Sequence, residues 1–288
     1  MAGNSLEKEL TTMALNSINT NLSAMTALSN LMSTQSQLAT TQNTISTGKK
    51  INTAKDNGAV WSIANTMNGK VSSLDSVKDS LNRAQSTIDV AMSAGQQVSD
   101  LLTQMKAKAL AAADTSLDTT SRTALNEDFK SLRDQISKVV TNADFNGINM
   151  VKSGGTTLNA LANDTGSSKI TVAAQNLSLG GSNVSLSATA SFASAAAASA
   201  YITTIDTNLT SVNTALTKLG TGSNALMSHL KFVGSLQNSL TTGISNLVDA
   251  DMAAESAKLQ ALQTKQQLGV QALSIANQST SIMLSLFR

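Results

Sequence analysis

The chain has 288 residues and a net charge of +2, with no proline, no cysteine, one histidine (His229), one tryptophan (Trp61) and one tyrosine (Tyr201). Without cysteine there is no disulfide, thiolate metal site or cysteine nucleophile, and a single histidine leaves almost no material for a zinc site or a Ser-His-Asp triad. The near-neutral charge gives no footprint for nucleic acid or an anionic membrane, and no apolar run reaches the ~18 residues a membrane-spanning helix needs.

The length allows one to three compact units. Zero proline favours long, uninterrupted helices, because proline removes a donor and clashes with the preceding turn. Aromatic residues make up only 2 % of the chain, so a core of packed rings is not available, yet 41 % of residues are apolar. A chain so rich in Ser, Thr, Asn and Gln could be disordered. Helical spacing of the apolar residues argues against that. The N-terminus has no basic segment followed by an apolar one, so no Sec-type signal peptide is expected.

From Leu10 to Gly48 there is no charged residue. Leu15, Ile18, Leu22, Met25 and Met32 follow three-four spacing there, and Leu28, Leu31, Leu38 and Ile45 form a second stripe. The same holds from Gln266 to Phe287, again without charge. Leu259, Leu262, Leu273, Met283 and Phe287 form one stripe of the last helix; Leu268, Ile275, Ile282 and Leu286 form another. A solvent-facing helix normally carries charge on its outer face. Uncharged polar side chains can be buried if hydrogen-bonded, whereas charges would cost far more. A plain two-helix coiled coil explains one stripe but not the missing charges. Both ends are therefore expected to be helices surrounded by protein in a larger assembly, ordering only when it forms.

Charge returns between the ends. Asp56 to Ala113 reads as one long helix, in which Gly95 is tolerated at about 1 kcal/mol relative to alanine. Asp114 to Asp118 reads as a turn. Thr119 to Thr141 reads as a helix burying Leu125, Phe129, Leu132, Ile136 and Val139. Asn146-Gly147 marks a turn. Short β pieces are expected after it at Ile148–Val151, Thr157–Leu161, Lys169–Val172 and Val184–Leu186. Helix resumes near Ala193 and runs to about Leu240, with Gly220 to Ser223 as a loose point. Asp249-Ala250-Asp251 resembles an N-terminal cap for the last helix.

The fold class expected is mainly α: an elongated antiparallel helical rod or coiled coil with a small β-hairpin region. No catalytic, cofactor or metal site is expected. Gly48-Lys49-Lys50 lacks the first glycine of a phosphate loop, with Asn43 in its place, and has Lys50 where Ser or Thr is needed. Asp249, Asp251 and Glu255 fit a helix N-terminus better than a cation site. His229 reads as an ordinary helix residue, and the methionines as core.

Several segments carry a family resemblance. Met13-Ala-Leu-Asn-Ser-Ile-Asn-Thr-Asn21 resembles the N-terminal start of bacterial flagellins. Ser46-Thr-Gly-Lys-Lys-Ile-Asn-Thr-Ala-Lys-Asp-Asn57 resembles the segment joining their two innermost domains. Asp144-Phe-Asn-Gly147 resembles the entry to their β-hairpin. Gln266 to Asn277 and Leu284-Ser-Leu-Phe-Arg288 resemble their C-terminal helix. The motifs occur in order over Met13 to Arg288. Asp56-Asn-Gly-Ala-Val-Trp61 is most similar to α-proteobacterial flagellins such as those of Caulobacter.

The resemblance implies a structural subunit of the flagellar filament, not an enzyme, exported unfolded through the type III channel and polymerised into a helical tube for motility. It implies an inner domain from 13–48 plus 249–288, connecting segments at 49–60 plus 241–248, and a middle domain at 61–240 with 145–190 as its β excursion. Residues 1–12 precede the family's usual start. The polymerisation core would hold Leu15, Ile18, Leu22, Met25, Leu28, Leu31, Leu38 and Ile45. From the other end it would hold Leu259, Leu262, Leu268, Leu273, Ile275, Ile282, Leu286 and Phe287. Implied partners are further copies, sibling flagellins, the flagellar cap, hook–filament junction proteins and an export chaperone, with no nucleic acid or membrane. A junction protein, or a non-flagellar coiled-coil scaffold, is the alternative reading. Many flagellins also meet an animal Toll-like receptor through an arginine, a leucine four residues later and a glutamate on the next helix. Ungapped alignment from Phe145-Asn-Gly147 places Gln104, Lys108 and Asp128 there, which implies weak or absent recognition.

Overall fold

A computed structural model of the chain describes residues 20–286, with side chains described to Gln278. Five helices and two strands lie among these residues: α1 (Leu22–Thr47), α2 (Gly58–Ala112), α3 (Thr119–Asn142), β1 (Leu158–Leu161), β2 (Lys169–Val172), α4 (Ala195–Val248) and α5 (Met252–Leu286). The mainly helical architecture with one small hairpin agrees with the sequence pattern. The residues group into two compact units. One holds the described residues up to Met67 with those from Thr242 onward, and the other is Asn68–Thr241.

In the first unit, α1 begins where the Asn21 side chain accepts the Ala24 N–H at 2.9 Å. It ends at Gly48, whose φ of 70° is the left-handed conformation that glycine takes at little cost, and whose N–H reaches Thr44 O at 2.9 Å. The glycine of the rejected phosphate-loop motif is thus a helix C-cap. The two connecting segments then meet: Lys50 N–H donates to Val248 O at 2.8 Å, and Ala250 N–H to Gly48 O at 2.9 Å. The long second helix starts at Gly58, not Asp56. The Asp56 carboxylate accepts the Asn52 and Thr53 N–H groups at 3.0 and 2.9 Å, closing a turn, and Asn57 takes the cap by accepting from Val60 N–H at 3.2 Å. At the far end Asp251 accepts from Ala253 and Ala254 N–H at 2.9 and 3.1 Å. It is the expected cap of α5.

In the second unit, the core runs along α2 from Leu74 through Leu81, Ile88, Val98 and Leu102 to Met105, against Phe129 and Ile136 of α3 and Ile205, Val212, Leu219 and Leu226 of α4. Each such aliphatic side chain, fully buried, contributes roughly 1.5–3 kcal/mol. Phe129 meets Phe192 edge to face at 5.0 Å between ring centres and Tyr201 at 5.6 Å. Three of the chain's seven aromatic residues meet in this one cluster. Arg122 closes the α2–α3 turn: its guanidinium donates to the carbonyls of Ala112, Asp114 and Leu117 at 3.1, 2.9 and 2.9 Å.

The stretch between α3 and α4 is less regular than its alternating sequence implied. Asn146 (φ 52°) and Gly147 (φ 81°) form the expected turn, bridged between Phe145 and Ile148. Only the two middle pieces pair, with Leu158 opposite Val172 and Leu161 opposite Lys169. Ile148–Val151 and Val184–Leu186 are not strands. Met150, Val151, Val184 and Leu186 are buried and Ile148 half-buried, but the backbones bond to loops and side chains. Met150 and Val151 carbonyls accept from Gln175 and Leu177 N–H at 2.8 Å, and Ser185 N–H donates to Asn208 Oδ1 at 3.0 Å. His229 is tied in here as well, with Nε2 2.7 Å from Ala162 O. It anchors the end of the hairpin to α4.

Two further expectations change. Helix α4 continues past Leu240 to Val248, where Ile244 and Val248 are buried. Nor is it loose at Gly220–Ser223: a Cβ on Gly222 would lie 2.6 Å from Val172 Cγ1, so the missing side chain is what lets β2 sit on the helix. Gly95 is likewise more than tolerated, since its Cβ would lie 2.6 Å from Leu216 Cδ2.

Candidate assembly surface

Helices α1 and α5 pack against each other, and the two apolar stripes of each helix separate onto different faces. Leu31 and Leu262 are buried in the seam, with Leu38, Ile45, Leu259 and Leu273 half-buried beside them. Asn21 crosses the seam, donating from Nδ2 to Ala276 O at 2.7 Å. Gly269 sits under Leu31, where an added Cβ would lie 3.2 Å from Leu31 Cδ1. Glycine therefore allows a close approach in the middle of the contact.

The other stripes face outward. Leu22, Met25, Leu28 and Met32 on α1, and Leu268, Val270 and Ile275 on α5, are large apolar side chains exposed at the surface, Ile275 at 68 %. An open groove of about 640 Å³ runs between the helices, bordered by Leu22, Thr26, Ala27, Leu268 and Gly269. The sequence stripes anticipated this division closely. Only Leu28, grouped with the seam residues, stands on the outer face. Val270 was missed because it falls off the three-four spacing that links Leu268 to Ile275. Gly269 was missed because periodicity counts apolar side chains and a glycine has none. Leu15, Ile18 and Phe287 lie outside the described residues, as do the side chains of Ile282 and Leu286.

No charged side chain belongs to α1. The charges of α5 end at Lys265, so its outer face from Gln266 onward offers only apolar, hydroxyl and amide groups. An apolar surface with that rim meets the conditions of a protein interface: no ion has to be stripped of water when it closes.

The three positions that the ungapped alignment set against the receptor patch lie in the second unit. Gln104 is exposed on α2. Lys108 and Asp128 are brought together, Nζ to Oδ2 at 2.7 Å, joining α2 to α3. Lys106 pairs similarly with Asp206 of α4 at 2.6 Å. These pairs are partly exposed and worth at most about 1 kcal/mol each.

Comparison with known proteins places these observations. Residues 18–156 match the model of the bacterial flagellin N-terminal helical region, and residues 202–287 that of the C-terminal helical region. Flagellin FljK of Caulobacter vibrioides is 59 % identical over 276 residues, covering 96 % of this chain and all of that protein. Flagellin FljJ of the same organism is 44 % identical over 94 % of this chain and 98 % of its own length. A flagellin of Brucella melitensis is 38 % identical over 94 % of this chain and 99 % of its own. A solved structure of Bacillus cereus flagellin resembles 63 % of the chain and 94 % of its own, at TM-score 0.42 and 20 % identity. The chain belongs to the bacterial flagellins, the structural subunits of the flagellar filament.

Proposed function

We propose that the outward stripes of α1 and α5 are the surfaces by which one subunit binds the next in the filament. The observation that carries this reading is the exposure of Leu22, Met25, Leu28, Met32, Leu268, Val270 and Ile275 on two helix faces that carry no charge there. Intramolecular contact uses only one face of each helix, so the second gains its burial from neighbouring copies. A head-to-tail contact that does not close on itself generates a helical array. The terminal helices therefore complete their order on polymerisation, because burial of this face exists only in the filament.

The same reading assigns 13–48 with 249–288 to the inner domain, joined through 49–60 and 241–248 to a middle domain at 61–240. Subunits leave the cell unfolded through the flagellar type III channel and add at the tip beneath the cap, beyond the hook–filament junction proteins, in an extracellular filament shared with sibling flagellins. An export chaperone covers the apolar ends before secretion. A chain with no cysteine and no proline suits that route, since no cross-link or slow isomerisation obstructs threading and refolding. Gln104, Lys108 and Asp128 form a poor Toll-like receptor patch.

Ile275→Asp tests the surface. Ile275 is exposed in the single subunit, so the variant folds with unchanged helix content and an unchanged Asn68–Thr241 unit. In the filament the carboxylate would be buried without a partner, costing several kcal/mol, roughly 3 or more, per contact. The expected result in electron micrographs is no filaments at concentrations where the parent polymerises fully. Normal filaments from the variant would remove this face from the interface.

A further inference from the structure

We infer that Met25 and Met32 make subunit assembly sensitive to oxidation, because peroxide reaches both sulfurs in the free subunit and their sulfoxides then block the α1 contact face. The inference rests on the assignment of that face to subunit–subunit contact.

Both side chains are highly exposed, Met25 at 58 % and Met32 at 62 %, whereas Met105 and Met150 are sealed in the core of the second unit at 0 % and 1 %. Their spacing of seven residues is about two helical turns, so they share one stripe with Leu22 and Leu28. A flexible thioether suits such a contact, because it fills irregular space between two surfaces without a polar atom that demands a partner. The same exposure leaves the sulfur open to attack until a neighbour covers it.

The chemistry needs only hydrogen peroxide. A sulfur lone pair attacks one peroxide oxygen, the O–O bond breaks, and the departing hydroxide takes up the remaining proton as water. The sulfur is oxidised by two electrons and the peroxide is reduced by two. The product is a polar, chiral sulfoxide in place of an apolar, flexible side chain. Two strong acceptors then stand on a face that lacks charged donors, and closing the interface strips them of water. Once subunits are assembled, the same contact shields both sulfurs. Oxidation is therefore a block on incorporation and not on the finished filament.

The test compares full-length subunits treated with hydrogen peroxide before or after polymerisation, with the sulfoxide at each methionine quantified by mass spectrometry. Treatment before polymerisation should raise the concentration needed for assembly at least about tenfold, as expected for burying polar groups without partners. Repair by the two stereospecific methionine sulfoxide reductases should restore it. The variant Met25→Leu, Met32→Leu should assemble equally well before and after treatment, although the exposed Met227 and Met252 remain oxidisable. A subunit doubly oxidised at Met25 and Met32 that assembles at the untreated concentration overturns the inference. So does a leucine variant that assembles normally but loses assembly on treatment, which would move the lesion to another methionine. If the leucine variant does not assemble at all, Met25→Leu and Met32→Leu are tested singly, and each must lose about half the sensitivity for the inference to stand. Equal oxidation of the two residues in free subunit and filament overturns the contact assignment itself. Failure of Ile275→Asp to block assembly would do the same independently.

Discussion

Leu31 of α1 lies directly over Gly269 of α5, so close that the first carbon of any side chain at 269 would stand 3.2 Å from the Leu31 Cδ1 methyl. This contact sets how near the two helices come. Gly269→Ala asks the leucine methyl to move by a few tenths of an ångström while removing a glycine from a helix interior, worth about 1 kcal/mol. It should be neutral or mildly stabilising. Gly269→Leu has no such relief and should part the helices. Amide exchange of α1 in the free subunit should then quicken by roughly tenfold or more, with the Asn68–Thr241 unit unaffected. Unchanged exchange would show that the seam does not depend on close approach here.

Gly95 predicts the opposite sign for the same substitution. An alanine methyl would sit 2.6 Å from Leu216 Cδ2 and 3.4 Å from Leu177 Cδ1, and Leu177 is fully buried. Overpacking of this kind costs about 1–3 kcal/mol, which outweighs the roughly 1 kcal/mol gained in helix propensity. Gly95→Ala should lower the thermal midpoint, and a rise would show that Leu216 repacks freely.

The α2–α3 turn should weaken in acid. Hydrogen bonds from the Ser121 side chain and backbone, and from Thr120 N–H, hold the Asp118 carboxyl below the ordinary Asp value of 3.8. Bonds from the Ser116 backbone and side chain do the same for Asp114. A carboxyl whose folded value is depressed stabilises the fold fully above its unfolded value and loses that contribution as pH falls through the folded one. Loss should therefore begin below the ordinary value of 3.8. Asp114→Asn with Asp118→Asn keeps neutral turn and cap acceptors but removes the titration. Urea midpoints should fall less for this variant than for the parent between about pH 6 and pH 3. Parallel curves would refute the assignment.

Receptor recognition should be poor, and the Lys108–Asp128 ion pair adds to the reason. Gln104 lacks the charge and planar donor fork of an arginine. Lys108 offers an ammonium where an apolar anchor is needed, and its partner Asp128 is occupied at 2.7 Å. Losses at such central contacts commonly reach about 2 kcal/mol or more. In a receptor-reporter assay, depolymerised protein should signal weakly, and Gln104→Arg with Lys108→Leu should signal more, since it also frees Asp128. Strong signalling by the parent would sink the assignment.

Periodicity, charge and turn chemistry in the sequence determined which segments are helices, that one hairpin interrupts them, and that both ends carry two apolar stripes. These are local or one-dimensional properties: three-four spacing, an Asn-Gly turn, and stretches without charge are legible with no knowledge of neighbours. Only the tertiary structure decided which stripe meets the partner helix and which stays open, because both stripes are equally apolar and differ only in what faces them. It also decided that Ile148–Val151 and Val184–Leu186 are buried loops and not strands. Alternation records burial on one side, whereas a strand needs a continuous ladder of backbone pairs; Met150 and Val151 accept isolated bonds from the Gln175 and Leu177 N–H groups, and Ser185 N–H bonds to the Asn208 side chain. The meaning of Gly95, Gly222 and Gly269 was hidden for the same reason. A glycine's role in a contact belongs to the residue opposite it, and chain order does not say which residue that is.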